Sequence, residues 1–238
     1  AHLPLVLGED KKRLSKRHAA TSLNAYKEMG FTKETIINAL ALLGWSTENE
    51  IFSIDELIES FKLENVQKAA AVFDLKRFNW VSSQQLAKLD ENSFFEVIKP
   101  FMEDEDISED YPNYKKILLA MRTSKTNLKD IAHATRPFFF ELDGYEEKGV
   151  KKFLNESLET LTFALEVLSK LTEWNETELD MALIKVRDYF NLPIPKVNQP
   201  MRIALVGSTV SPSLGLTLEL FGKEKSLERI QKAIDFIS

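Results

Sequence analysis

The sequence predicts a mainly α fold: a short opening segment with a basic loop, a small α+β module, and then an all-helical region. Three observations carry this. Beyond residue 110 apolar residues recur almost without a gap at spacings of three and four. Pro193, Pro195, Pro200 and Pro212 fall between such runs, as helix breakers do. Extended character is confined to residues 1–8 and 50–53. The 238 residues are 44% apolar and 29% charged, the balance of an ordinary globular protein, which excludes disorder, collagen and coiled-coil rods. At about 150 residues per domain the length accommodates one large domain or two modest ones.

In chain order, Ala1-His2-Leu3-Pro4-Leu5-Val6-Leu7-Gly8 reads as an extended piece running into a charged loop. The chain starts without Met, as if cut from something longer, so a fragment is expected. A first helix opens at Ser22, carries Leu23, Tyr26 and Met29, and stops at Gly30; a second runs from Thr32 to a stop at Gly44. Ser53 followed three residues later by Glu56 has the spacing of a capping box. Residues 66–80 form a turn-rich closing piece, with the next helix opening at Ser82 or Ser83 and another spanning 93–102. The acidic run at 103–106 reads as a solvated linker or a helix entrance. Helices are then predicted over 111–122, 128–140, 150–171, 178–190, 201–206, 214–221 and 227–237.

Composition removes whole classes of chemistry. The absence of cysteine excludes disulfides, thiolate metal sites and cysteine nucleophiles, and fits a cytoplasmic location. His2, His18 and His133 are too scattered to promise a metal site, so none is expected; His18 and His133 read as loop or packing residues without a carboxylate partner. No apolar run reaches the roughly 18 residues of a membrane span, and no secretion signal opens the chain. A monomer is expected. The net charge of −6 argues against nucleic-acid binding through bulk positive charge. The first twenty residues nevertheless carry +3, leaving −9 for the remainder, so any RNA face is a stripe on an acidic body.

The densest cationic cluster is Lys11-Lys12-Arg13-Leu14-Ser15-Lys16-Arg17-His18, five cations in eight positions around a hydroxyl. Mobile ammonium groups, planar guanidinium forks and Ser15 together make a phosphate clamp that can follow charge developing on a leaving pyrophosphate. A solvated basic loop is the plain alternative. The order of the residues adds more: Arg13-Leu14-Ser15-Lys16-Arg17 resembles the Lys-Met-Ser-Lys-Ser signature loop of class I aminoacyl-tRNA synthetases, in the Ser-Lys-Arg form of glutamyl-tRNA synthetases. Arg13 replaces the usual first Lys and Ala19 the usual Gly. The resemblance continues through Ala39 to Ser46, Glu50-Ile51-Phe52 and Ala71-Val72-Phe73-Asp74 with Lys76 and Trp80. It ends with Pro200 to Gly207, Ser211-Pro212, Phe221-Gly222-Lys223-Glu224 and Arg229.

The resemblance implies the following. Residues 1–20 are the end of a catalytic domain, with Arg13, Ser15, Lys16 and Arg17 at ATP, Lys16 on its triphosphate as the catalytic residue, and magnesium carried on ATP. Residues 21–95 are a stem-contact module, and 96–238 a helical anticodon-binding region, with a further break near 195 left open. Arg202, Ser211, Pro212 and Leu214 would meet anticodon bases by hydrogen bonding, stacking and flat apolar support. Arg122 would help judge the third anticodon base, although residues 123–127 depart from the family spacing. Lys76 and Arg77 would face the tRNA or form surface ion pairs, while Trp45, Trp80 and Phe138-Phe139-Phe140 belong to the core. The partner is a glutamate-accepting tRNA, with glutamine tRNA left open as a second acceptor. These residues contain no His-Ile-Gly-His-type motif or nucleotide-binding fold, so this piece alone should bind tRNA weakly and catalyse nothing. The competing reading is a stand-alone helical interaction protein with a basic docking loop; a tRNA-modifying relative is disfavoured by the anticodon-like terminus.

Overall fold

The computed structural model describes residues 5–14, 22–45 and 47–238. The chain divides into two compact units, one of Ala1–Ser108 with Lys125–His133 and one of Glu109–Ser124 with Ala134–Ser238. In the first unit β1 (Val6–Leu7) pairs in parallel with β2 (Ala71–Val72). A parallel pair requires a long crossover, and the chain supplies α1 (Leu23–Glu28), α2 (Lys33–Ala41), α3 (Ile54–Ser60) and the 3-10 turn Leu63–Asn65. Ser22 and Thr32 cap α1 and α2 by accepting the amides of Ala25 and Thr35. Ser53 and Glu56 close the capping box of α3, each side chain accepting the other's backbone N–H.

The two glycine stops differ. Gly30 adopts φ +85, its carbonyl accepts the Leu128 amide at 2.9 Å, and a Cβ there would lie 2.5 Å from the Lys129 nitrogen. Gly44 is not a left-handed stop: α2 ends at Ala41, and the Gly44 carbonyl accepts the Gln67 amide at 2.7 Å. Residues 50–53 are extended but belong to no strand. Asn38, fully buried, accepts from the Phe52 amide at 3.0 Å and donates to the Glu50 carbonyl at 2.9 Å; Gln85 donates to the Phe52 carbonyl and to Asn38 Oδ1, both at 2.7 Å.

The helix expected from Ser82 starts earlier, as α4 (Leu75–Lys88), where the Asp74 carboxylate accepts from the amides of Lys76 and Arg77. Ser82 is a buried mid-helix residue whose hydroxyl donates to the Thr126 carbonyl at 2.5 Å. The inward face of α4 holds Ser82 and Gln85 beside Phe78, Val81 and Leu86, so its apolar period is interrupted by design of the packing rather than by a break in the helix. Phe31, Trp45, Phe52, Leu57, Phe78 and Val81 form the core of this module, with Tyr26, Phe73 and Phe78 in mutual ring contact.

The helix expected over 93–102 is α5 (Glu91–Asp104), and Asp90 caps it. The acidic run is its exit. Asp106 adopts φ +59, its amide donates to the Glu103 carbonyl at 3.0 Å, and the Ile107 amide returns to the Met102 carbonyl at 2.9 Å with both side chains buried. That is a Schellman stop with Asp where Gly is usual. His133 does find a carboxylate, Nδ1 lying 3.1 Å from Glu105.

The second unit is all helix among its described residues. α6 (Tyr114–Met121) and the latter half of α7 (Leu128–Phe139) precede α8 (Glu147–Gly149), a π turn Val150–Leu154, and α9 (Leu158–Ser169). The single helix expected over 150–171 is broken because the buried Ser157 donates its hydroxyl to the Leu154 carbonyl at 2.6 Å and ends the turn there. α10 (Glu176–Phe190) and α11 (Ile194–Val206) follow. α11 begins before the predicted 201 because Pro195 sits in its first turn, where a missing N–H costs nothing, and Pro200 is accommodated inside. α12 (Leu214–Phe221) and α13 (Lys223–Ile237) complete the bundle. Its core runs through Leu154, Leu161, Leu168, Leu179, Val186, Met201, Leu218 and Ile230.

Candidate functional site

The described start of the basic cluster, Lys11 to Arg13, lies in a tight turn. After β1 the Lys11 amide donates to the Gly8 carbonyl at 2.9 Å, the Gly8 amide to Lys12 at 2.8 Å, and Lys12 to Asp10 Oδ1 at 3.0 Å. Lys11 takes φ +60 to close it, and Leu14 returns its amide to Val6 at 3.0 Å. Leu7 thus faces Arg13 on one side and Val72 on the other. Lys11, Lys12 and Arg13 stand exposed on this turn. Ser15, Lys16, Arg17 and His18 lie outside the described residues. Ala71 and Val72, within the segment expected to be a turn-rich closing piece, form the partner strand that seats this turn, and the Phe73 amide donates to the Leu7 carbonyl at 2.8 Å.

On α4, Arg77 pairs with Glu50 at 2.9 Å, the surface ion pair that was one of its two expected roles. Trp80 is 43% exposed rather than core, since α4 turns its Phe78 and Val81 faces inward.

In the second unit the structure draws Arg202, Ser211 and Pro212 together. Arg202 Nε donates to Ser211 Oγ at 2.8 Å and its Nη2 to the Pro212 carbonyl at 3.3 Å. Ser211 Oγ also lies 3.1 Å from Thr217 Oγ1, whose residue is fully buried. Partial burial pulls the Arg202 guanidinium below its ordinary pKa. Leu214 opens α12 and is buried, whereas Val210 and Ser213 stand exposed on the loop rim. Arg122 caps the C-terminal end of α6, half-buried.

Sequence reasoning missed the supports of this loop. Gly207 ends α11 at φ +73, and a Cβ there would meet the Gly144 carbonyl at 2.8 Å. The Glu146 amide donates to the Gly207 carbonyl at 2.7 Å, and its carboxylate accepts from the Thr209 amide and hydroxyl at 3.2 and 3.1 Å. Residues 141–146 and 207–213 therefore brace each other. A glycine at the end of an apolar helical run was the signal for Gly207; nothing local announces Glu146. Among the described residues no helix is long and apolar enough to cross a membrane, and no group of three or more His, Asp or Glu is placed to hold a metal.

Known proteins match along the whole chain. The family model described as the anticodon binding domain matches residues 84–234, and that of the catalytic domain of class I tRNA synthetases (E and Q) matches residues 1–80. A glutamate–tRNA ligase of Thermodesulfovibrio yellowstonii is 36% identical over 99% of this chain and 52% of its own length; one of Syntrophotalea carbinolica is 37% identical over 98% and 51%. Among solved structures, a glutamate tRNA ligase from Elizabethkingia meningosepticum in complex with its amino acid has a TM-score of 0.78 at 28% identity, covering 100% of this chain and 51% of that one. The glutamate–tRNA synthetase of Elizabethkingia anophelis gives 0.75 at 29%, over 99% and 50%. The chain spans about half the length of the relatives it matches. The anticodon binding domain model covers well over half of the chain, so this polypeptide belongs to that family, and glutamate–tRNA ligases are its homologues along nearly the whole of its length.

Proposed function

We propose that this chain is the tRNA-binding part of a glutamate–tRNA ligase working in the cytoplasm. The observation that carries the proposal is a match to such ligases that runs from one end of the chain to the other. The ligase joins glutamate to ATP as a glutamyl-adenylate, releasing pyrophosphate, and then passes the glutamyl group to tRNA with release of AMP. Residues 1–20 close the catalytic domain, 21–95 touch the inner corner of the tRNA, and 96–238 receive the anticodon.

At the signature loop, Arg13, Ser15, Lys16 and Arg17 bind the triphosphate, with Lys16 on the charge that develops as pyrophosphate leaves. The turn Gly8 to Lys12, with Leu14 hydrogen-bonded back to Val6, supports that role by bracing the residues that lead up to Ser15. Magnesium arrives on ATP. In a ligase carrying the whole catalytic domain, Lys16→Ala is expected to lower exchange of pyrophosphate into ATP by orders of magnitude; unchanged exchange contradicts the assignment.

At the other end, Arg202 spends two donors holding Ser211 and Pro212 in place, so it acts by shaping the loop while the rim of residues 208–213 meets splayed bases. Leu214 supports the loop from beneath, and Arg122 contributes to the third anticodon position. A glutamate-accepting tRNA is the partner, bound by a monomer. A filter-binding titration tests the reading: tighter binding of a glutamate tRNA than of an unrelated tRNA is expected, and equal affinity contradicts it.

A further inference from the structure

Arg229 is 2% exposed, which makes it the largest fully buried side chain among the described residues. No carboxylate among those residues pairs with it. Instead Nη1 donates to the Leu205 carbonyl and Nη2 to the Phe140 carbonyl at 2.7 Å. Those carbonyls belong to the last turn of α11 and to the residue just past the end of α7, where helices leave acceptors unused and the dipole is negative. The guanidinium also lies 4.5 Å over the Phe221 ring, and Phe221 stacks on Phe138 at 4.8 Å. Its Nε is buried without an acceptor, and burial pushes its pKa down to about 10.

For stability alone this is a poor choice. A buried cation without a counter-ion loses its hydration, and an apolar side chain of the same volume in such a place is usually neutral or stabilising. What only Arg supplies is a rigid fork that holds two carbonyls at one distance from each other. Those two carbonyls mark where the chain enters residues 141–146 and 207–213, the two segments that brace each other through Glu146, Gly207 and Thr209. α13 grips the first segment elsewhere along one stripe. Lys225 and Lys232 pair with Glu141, and Phe236 packs on Tyr145 at 5.0 Å. With Arg229 these residues stand at i, i+4, i+7 and i+11, a single helical face.

We infer that Arg229 is a positioning residue for RNA recognition: it sets the separation of the α7 and α11 ends and thereby the shape of the 207–213 loop that selects anticodon bases. This rests on the anticodon reading above for its ligand, but the positioning itself can be measured without RNA.

The experiment uses the 238-residue chain as wild type, Arg229→Met, Arg229→Lys and Glu146→Ala. Amide hydrogen exchange on the free proteins is expected to speed up roughly tenfold in peptides covering 140–146 and 205–213 of Arg229→Met, with peptides from α9 and α10 unchanged. Arg229→Lys, a point charge that can hold one carbonyl, falls between. Uniformly faster exchange throughout the second unit would show a purely structural role and overturn the inference, as would no change. The same proteins are titrated with a glutamate tRNA transcript and a copy with an exchanged anticodon. The wild-type preference is expected to shrink about tenfold in Arg229→Met. Should Arg229→Met fail to fold, Glu146→Ala cuts the next link of the chain at the surface and must show the same local exchange and the same loss of preference; wild-type behaviour there overturns the inference. If the wild type itself shows no preference, the anticodon reading fails, the selectivity half of the inference falls with it, and the exchange data alone judge the positioning half.

Discussion

Asp106 and Gly30 both close a helix in the left-handed region, and the chain has treated them differently. Gly30 has no alternative, because a Cβ would sit 2.5 Å from a backbone nitrogen as well as demanding φ +85 of an L side chain. Asp106 occupies the equivalent position at the end of α5 with φ +59 and a full set of Schellman hydrogen bonds. Replacing it removes only a steric penalty, so Asp106→Gly is expected to raise stability by up to about 1 kcal/mol, read as a higher urea midpoint. A lower midpoint contradicts this account of the turn. At this scale some residues that act on their own neighbours were readable, the caps at Ser22 and Thr32 and the Ser53–Glu56 box, while the equally local Asp74 cap and Asp106 stop went unread. Residues that act across the fold were not readable. Nothing within a few positions of Glu146 or Arg229 signals a carbonyl or amide 24 to 89 residues away.

Among elements, the same distinction explains α4. Its start, expected at Ser82 or Ser83, lies seven or eight residues earlier, because Ser82 and Gln85 face inward and break the apolar period. Gln85 and Asn38 replace a strand: together they take up the backbone groups of part-buried Glu50 and buried Phe52, which would otherwise lack these partners. Asn38→Ala therefore strands the Phe52 amide and the Glu50 carbonyl and removes an acceptor from Gln85. A loss of about 2–4 kcal/mol is expected, on the order of one to three per stranded group with partial relaxation. Thermal or urea unfolding measures it, and a loss below about 0.5 kcal/mol would mean that residues 50–53 are held by something else. α11 shows the converse. Its prolines read as punctuation, yet one lies in the first turn and one is absorbed, so the helix is longer than the pattern.

For the molecule as a whole, family and helical class were legible because the motifs are contiguous words in the right order, and local order survives in any alignment of a single chain. The parallel pairing of β1 with β2 was not legible, since two residues on each side carry no periodic signal. Nor was the mutual bracing of residues 141–146 and 207–213, which joins segments through backbone carbonyls that every sequence possesses. The acidic balance makes the proposed RNA binding demanding: at a net charge of −6 it has to work through local surfaces, and the loop of residues 208–213 is where base contacts are proposed. Ribose footprinting of a glutamate tRNA bound to this chain tests that claim most directly. Protection of the anticodon nucleotides, lost when Arg202 is changed to Ala while the helical stem stays protected, is the predicted result. Protection confined to the stems, with the anticodon as reactive as in free tRNA, would contradict it.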